Sequence, residues 1–162
     1  MHESSLKNLK AFFDTFIKSP MSVLDVGSKG SEGYRDIALS GNHSYTGLDI
    51  EKGGNVNIVV VDHYLWKEVK DETYDVIISG QAFEHIEFFW LTFREMVRVL
   101  KKGGYICLIV PSKGFIHRFP VDCWRFYPDG MAALAKWGNV KLIEANKDDG
   151  EGWGDCKGVF KK

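Results

Sequence analysis

Glu84 and His85 are adjacent, and His117 and Asp122 follow in a single stretch further along the chain. These residue types can move protons: an imidazole titrates near neutrality and takes a proton from a hydroxyl or an amine, and a carboxylate can orient it. His85, His117 and Asp122 are therefore candidate catalytic residues. Glu84 also fits the acidic first turn of a following helix, a structural role. Arg118, Trp124 and Arg125 share the stretch Ser112 to Tyr127, which is too long and too rich in rings and charges for a simple turn. Cationic donors beside flat apolar rings suit a sugar or another planar, hydroxylated acceptor. The alternative is that Phe119, Trp124 and Phe126 pin this loop to a sheet, with Asp122 paired to Arg118 or Arg125.

A second set of residues precedes these. Val23, Leu24 and Val26 suit a buried parallel strand, and Gly27, Gly30 and Gly33 follow it in a Gly/Ser-rich turn that opens a helix. A dinucleotide-binding turn keeps its second glycine bare so that diphosphate can touch the backbone. Here that position is Lys29, and Asp25 stands just before the turn. An acid placed there repels diphosphate and attracts a cationic ligand group. Asp49, 22 residues beyond Gly27, can accept both hydrogens of a ribose diol. It can equally be a turn aspartate before Glu51-Lys52-Gly53-Gly54.

Asp25-Val26-Gly27 with its turn, Gly47-Leu48-Asp49, Asp62, Tyr74-Asp75-Val76-Ile77 and Leu100-Lys101-Lys102-Gly103-Gly104-Tyr105 together resemble a class I S-adenosylmethionine (SAM)-dependent methyltransferase. The likeness covers roughly residues 20 to 112, with Lys29 and Ser31 standing where the family's turn usually has its second and third glycines. The resemblance implies SAM as cofactor, held by Asp25, Gly27, Ser28, Gly30, Asp49, Ile50, Asp62, His63, Ser79, Gly80 and Gln81. Asp62 would meet the adenine amine, although a plain helix N-cap is an alternative reading of it. Ser79, Gly80 and Gln81 would face the methionine part. His117 to Asp122 and Trp124 to Phe126 also resemble a segment of bacterial methyltransferases of surface-polysaccharide assembly, an analogy only. The implied function is methyl transfer to an O or N nucleophile of a small or glycan-type, possibly anionic, acceptor. The alternative is a methyltransferase-like SAM-binding or catalytically silent subunit that supports a partner. An NAD-dependent oxidoreductase is disfavoured by Asp25 and Lys29.

The elements that must position these residues follow from periodicity. Leu6, Leu9, Phe13, Phe16 and Ile17 predict an amphipathic helix over 5–18. Strands are expected at 22–26, 44–48, 57–61, 74–79, 105–110, 140–145 and 156–160, and helices at 31–40, 64–69, 86–102 and 129–137. Gly103-Gly104 is expected to cap the third of these helices, with Lys101 and Lys102 in its last turn. Residues 146–155 read as a hairpin or mobile loop. The expected fold is a Rossmann-like three-layer α/β/α sandwich. Its seven-stranded, mostly parallel sheet has the order 3-2-1-4-5-7-6, with strand 7 antiparallel.

Composition sets the limits. The chain has 162 residues, 44% hydrophobic and 27% charged, consistent with one globular domain over 1–162. No run reaches the length of a membrane span and no secretory signal is visible, so a cytoplasmic protein without membrane contact is expected. The net charge of −1 argues against nucleic acid as a partner. Residues 94–125 nevertheless carry seven Lys/Arg against Glu95 and Asp122, an excess suited to an anionic acceptor. Cys107, Cys123 and Cys156 form no Cys-x-x-Cys pair, so no metal is expected. With no room for a separate substrate domain, the N-terminal helix and the 112–127 loop must build the acceptor site, or a homodimer's second subunit completes it.

Overall fold

The apolar run after Ser22 forms β1 (Ser22–Val26) at the centre of the sheet. The computed structural model describes residues 2–149 and 152–162. Before β1 lies α1 (Glu3–Phe16); after it come α2 (Glu32–Ser40), β2 (Ser44–Asp49), β3 (Ile58–Val59) and β4 (Tyr74–Gly80). A single 3₁₀ turn, Phe83–His85, leads to α3 (Phe89–Val99) and β5 (Leu100–Lys113). The chain then runs through α4 (Pro128–Trp137), β6 (Lys141–Lys147) and β7 (Gly154–Lys161). The seven strands order as β3-β2-β1-β4-β5-β7-β6, and β7 alone runs antiparallel to its neighbours, as expected.

Both faces of the sheet are covered, so its central strands read as unbroken apolar runs whose side chains alternate between two cores. Val23, Ile78, Cys107 and Val159 pack with Leu9, Phe12, Phe13 and Tyr34 beneath α1 and α2. Leu24, Val26, Ile77, Leu108 and Phe160 pack with Phe93, Met96, Met131 and Leu134 beneath α3 and α4. The functional turns all leave the same edge, the carboxyl ends of β1, β2 and β4, where open α/β sheets bind ligands.

Four boundaries differ from expectation. The expected strand 57–61 pairs only at Ile58–Val59, because it is the sheet's edge and Val61 is 91% exposed. No helix forms over 64–69. The carbonyls of Trp66 and Val69 accept from the Arg98 guanidinium, Trp66 also taking a single turn bond from the Val69 amide, while the Trp66 amide donates to Glu95 Oε2. The helix expected over 86–102 is α3 alone. At its end Leu100 turns extended and pairs with Tyr74 in β5, with a bulge before Tyr105 that Gly103 occupies at φ +81°. Lys101 therefore meets Asp75 at 2.8 Å instead of capping a helix dipole. Finally β5 continues through Pro111, which faces Asp155 across the antiparallel ladder. Of the segment 146–155, expected as a hairpin or mobile loop, Asn146 and Lys147 end β6 and Gly154 and Asp155 begin β7 in a β6–β7 hairpin, and residues 150 and 151 lie outside the described residues.

Candidate active site

At the carboxyl edge a cavity of about 1340 Å³ runs from the turn after β1 to the loop after β5. Its first end is lined by Gly27, Lys29, Gly30 and Ser31, by Leu48 to Glu51, and by Val60 and His63. Gly27 has φ +79°, and a Cβ there would stand 2.5 Å from the Ala82 Cβ; Gly30 has φ +80° and open space beside it. Backbone is thus presented bare to the cavity. The Lys29 ammonium pairs with Glu51 at the rim. The Ser31 hydroxyl donates 2.6 Å to Asp25 Oδ2.

Asp25 lies behind this turn, fully buried and off the cavity wall. Tyr45 and Ser31 donate to its Oδ2, whereas Oδ1 has no partner. Burial pushes the carboxyl up to about 6, against the two hydroxyl donors and with help from the charge of Asp49. Asp49 lines the cavity and accepts amide hydrogens from Lys29, Ile50 and Glu51 at 2.8–3.1 Å. Its oxygens retain lone pairs for further donors.

The remaining residues implicated by the resemblance divide. Ile50, His63, Gly80 and Gln81 reach the cavity, whereas Ser28, Asp62 and Ser79 do not. Ser79 is buried and donates to the Val26 carbonyl, locking the ends of β1 and β4 together. Asp62 is exposed and accepts from the Tyr64 amide, a local turn contact. Gln81, at φ +55°, donates 3.0 Å to Asp155 while its Oε1 is buried without a donor.

The far end of the cavity is lined by His85, Phe115, His117, Arg118, Phe119 and Trp153, with His2 beside them. The His85 Nδ1–H donates 2.6 Å to the Val121 carbonyl, so the neutral ring carries its lone pair on Nε2; burial lowers its pKa and keeps it neutral. Glu84 is fully buried with neither carboxylate oxygen hydrogen-bonded, and burial pushes it up to about 7. Its Oε1 lies 3.6 Å from His85 Nε2 and 3.9 Å from His117 Nε2.

Asp122, Trp124 and Arg125 stand outside the cavity. Asp122 accepts from the Arg125 guanidinium at 2.6 and 2.9 Å and from the His117 amide at 2.8 Å. Arg125 above all holds it well below the usual carboxylate range, so it is a poor proton acceptor; it positions His117. Trp124 donates to the Ile86 and Glu87 carbonyls and packs on Phe89. With Phe126 buried, Trp124 and Phe126 pin the loop as the alternative reading of the sequence had it, whereas Phe119, the third ring in that reading, is 74% exposed and lines the cavity.

Three contributors were not anticipated. Asp155 is buried at the start of β7, accepting from His2 at 2.8 Å, Ser4 at 2.8 Å and Gln81 at 3.0 Å. Trp153 and Phe115 close the cavity's outer wall, their rings 5.6 Å apart. The available signal was an acid at the second residue of a strand beside the carboxyl edge, inside a segment whose glycines read as loop.

An electrophile-bearing nucleoside amino acid fits this cavity. The bare turn and the ribose-competent Asp49 at the wall, with the buried Asp25 behind them carrying an unpartnered Oδ1, fit what SAM requires. The family model described as methyltransferase domain matches residues 24–108. No curated protein matches the sequence. Among solved structures, the fold is shared with 1,6-didemethyltoxoflavin-N1-methyltransferase of Burkholderia thailandensis, bound to 1,6-didemethyltoxoflavin and S-adenosylhomocysteine. That pair has a TM-score of 0.79 and 14% identity, over 99% of this chain and 79% of that one. A SAM-dependent methyltransferase from Archaeoglobus fulgidus gives 0.70 at 16% identity, over 98% and 95%. The [4+2]-cyclase SpnF gives 0.76 at 12% identity, over 97% and 81%. Likeness at these identities establishes the fold and leaves the acceptor open.

Proposed function

The chain belongs to the methyltransferase-domain family of class I SAM-dependent enzymes, and from that premise we propose that it methylates an oxygen or nitrogen of a small anionic or saccharide-type acceptor. The observation that carries this reading is the continuity of the cavity from the glycine turn and Asp49 to His85, His117 and Arg118. Donor and acceptor can lie end to end in it. SAM supplies a methyl group on a positively charged sulfur. The protein's task is alignment, exclusion of water and management of one proton.

Asp49 would accept the ribose hydroxyls, with Ile50 and His63 beside the base and Gly80 and Gln81 beside the amino-acid part. The charge of Asp25, relayed through the Ser31 hydroxyl, favours an ammonium over the turn. At the other end, His85 and His117 would present Nε2 lone pairs to the acceptor's nucleophile, and Arg118 would receive its anionic group. Trp124, Arg125 and Asp122 act at one remove, by holding the loop that carries His117. A cytoplasmic setting suits three cysteines without disulfides. No helix among the described residues is long and apolar enough to cross a membrane.

Asp49→Ala is expected to weaken S-adenosylhomocysteine binding by about 1.5–3 kcal/mol, the loss of hydrogen bonds to a charged group. Titration calorimetry reads this directly, and unchanged affinity removes Asp49 from the site. The acceptor is tested by offering radiolabelled SAM with matched hydroxy acids, amino acids, neutral sugars and neutral apolar alcohols and amines. Methylation of neutral apolar acceptors alone would overturn the anionic or saccharide assignment.

A further inference from the structure

We propose that Glu84, His85 and His117 form a binding site for a first-row divalent transition-metal ion at the acceptor end of the cavity. One ligand atom from each residue lies within 4.8 Å of the others. The three atoms face one another without a hydrogen bond between them. His85 must donate through Nδ1 to the Val121 carbonyl, which leaves Nε2 as an acceptor. His117 Nδ1 lies 3.4 Å from Asp122 Oδ2 without a hydrogen bond between them, and a proton placed on that nitrogen beside the carboxylate leaves Nε2 free. Both Nε2 atoms are turned to Glu84 Oε1, at 3.6 and 3.9 Å, too far for hydrogen bonds. Glu84 itself has no partner for either oxygen although its side chain is fully buried. A carboxylate left in that condition is costly, and a cation shared with two imidazoles removes the cost.

The geometry suits coordination. Two ligands of a tetrahedral ion with bonds of ~2.05 Å stand ~3.3 Å apart, so rotation of the two imidazoles by small torsions closes the site. Two neutral imidazoles and one carboxylate select zinc, manganese, cobalt or iron over magnesium and calcium, which prefer all-oxygen shells. A backbone carbonyl stands behind His85 as its outer partner, and behind His117 the carboxylate of Asp122, clamped by Arg125, holds the His117 amide and lies 3.4 Å from the unpartnered Nδ1. His85 and His117 both line the cavity, so the ion's remaining positions face it. An acceptor that offers two oxygens to one metal, such as a hydroxyl next to a carboxylate, matches those positions and the nearby Arg118. With an ion bound, both Nε2 lone pairs are its ligands, and the ion replaces the imidazoles as the group that meets the acceptor's oxygen; that role rests on the methyl-transfer reading, whereas the ion site does not.

The test uses the full chain after dialysis against EDTA, titrated calorimetrically with Co²⁺, Zn²⁺, Mn²⁺ and Mg²⁺, with the visible d–d bands of Co²⁺ as an independent readout. One transition-metal ion per chain is expected, with no comparable binding of Mg²⁺. His117→Ala and Glu84→Gln should each weaken Co²⁺ by about 100-fold or more, and Asp122→Asn by roughly 10–100-fold as a positioning residue. His117→Ala lies in a surface loop and guards against the chance that Glu84→Gln fails to fold. S-adenosylhomocysteine affinity serves as the check on folding. Absence of Co²⁺ binding in protein that binds S-adenosylhomocysteine, or undiminished binding in His117→Ala, overturns the site. Co²⁺ binding in protein that takes no S-adenosylhomocysteine overturns the methyl-transfer reading and supports the site.

Discussion

At the scale of single residues, Asp25 is where two demands meet. It is fully buried with one oxygen unpartnered, and its carboxyl is pushed up to about 6. A carboxyl raised in the folded state binds a proton that the unfolded chain has already released between pH ~4 and ~6. Its contribution to stability is therefore complete below pH ~4 and is lost as pH rises through about 6. Asp25→Asn is expected to remove this slope, worth up to about 3 kcal/mol in wild type, from urea unfolding free energies measured between pH 4 and 7. On the proposed role of Asp25 toward the cofactor's ammonium, wild-type affinity for S-adenosylhomocysteine should rise as pH passes 6, and the Asn variant should bind weakly at every pH. A flat wild-type profile in both measurements would detach Asp25 from the ammonium.

At the scale of elements, the loop after β5 behaves as a fitted part rather than a tether. The Cys123 amide donates to the Glu84 carbonyl at 2.7 Å, Trp124 to the Ile86 carbonyl at 3.1 Å, and the Phe126 amide to the Pro111 carbonyl at 2.9 Å. These bonds tie His117 to the 3₁₀ turn that carries His85. Trp124→Ala should cost about 1–3 kcal/mol, from a lost hydrogen bond and ring contacts with Phe89 and Trp90. It should also raise amide exchange across 114–127. Because Trp124 does not line the cavity, affinity for S-adenosylhomocysteine should be unchanged; a large loss there would mean that the loop shapes the cofactor end as well.

At the scale of the whole molecule, one buried carboxylate joins parts that are remote in sequence. Asp155 accepts from His2, 153 positions away, and from Gln81 beside the end of β4. It thereby fastens the start of α1 to β7, the antiparallel strand between β5 and β6, next to the cavity that His2 and Ser4 help to line. Asp155→Ala should cost about 2–4 kcal/mol, since several donors lose one buried acceptor together. The loss should appear as early exchange of α1 amides, before global unfolding. Uniform destabilisation without local exchange of α1 would show that the network adds stability and does not hold the helix in place.

Strand order, the antiparallel last strand, and the turn with Asp25, Gly27, Gly30 and Asp49 were legible in the sequence. They depend on local periodicity, on glycines that permit close backbone approach, and on a spacing between β1 and β2 set by the length of one helix. The helix expected over 64–69 and the overlong α3 were not, because Arg98 and the pairing of Leu100 with Tyr74 decide those segments from a distance. Asp122, Trp124 and Arg125 looked like ligand contacts because composition cannot distinguish a charge aimed at a cavity from one aimed at its neighbour. The convergence of Glu84, His85 and His117 likewise required the fold. Their ligand atoms come from a turn and a loop with 31 residues between the histidines, and only three-dimensional closure of the chain brings three lone pairs to one point.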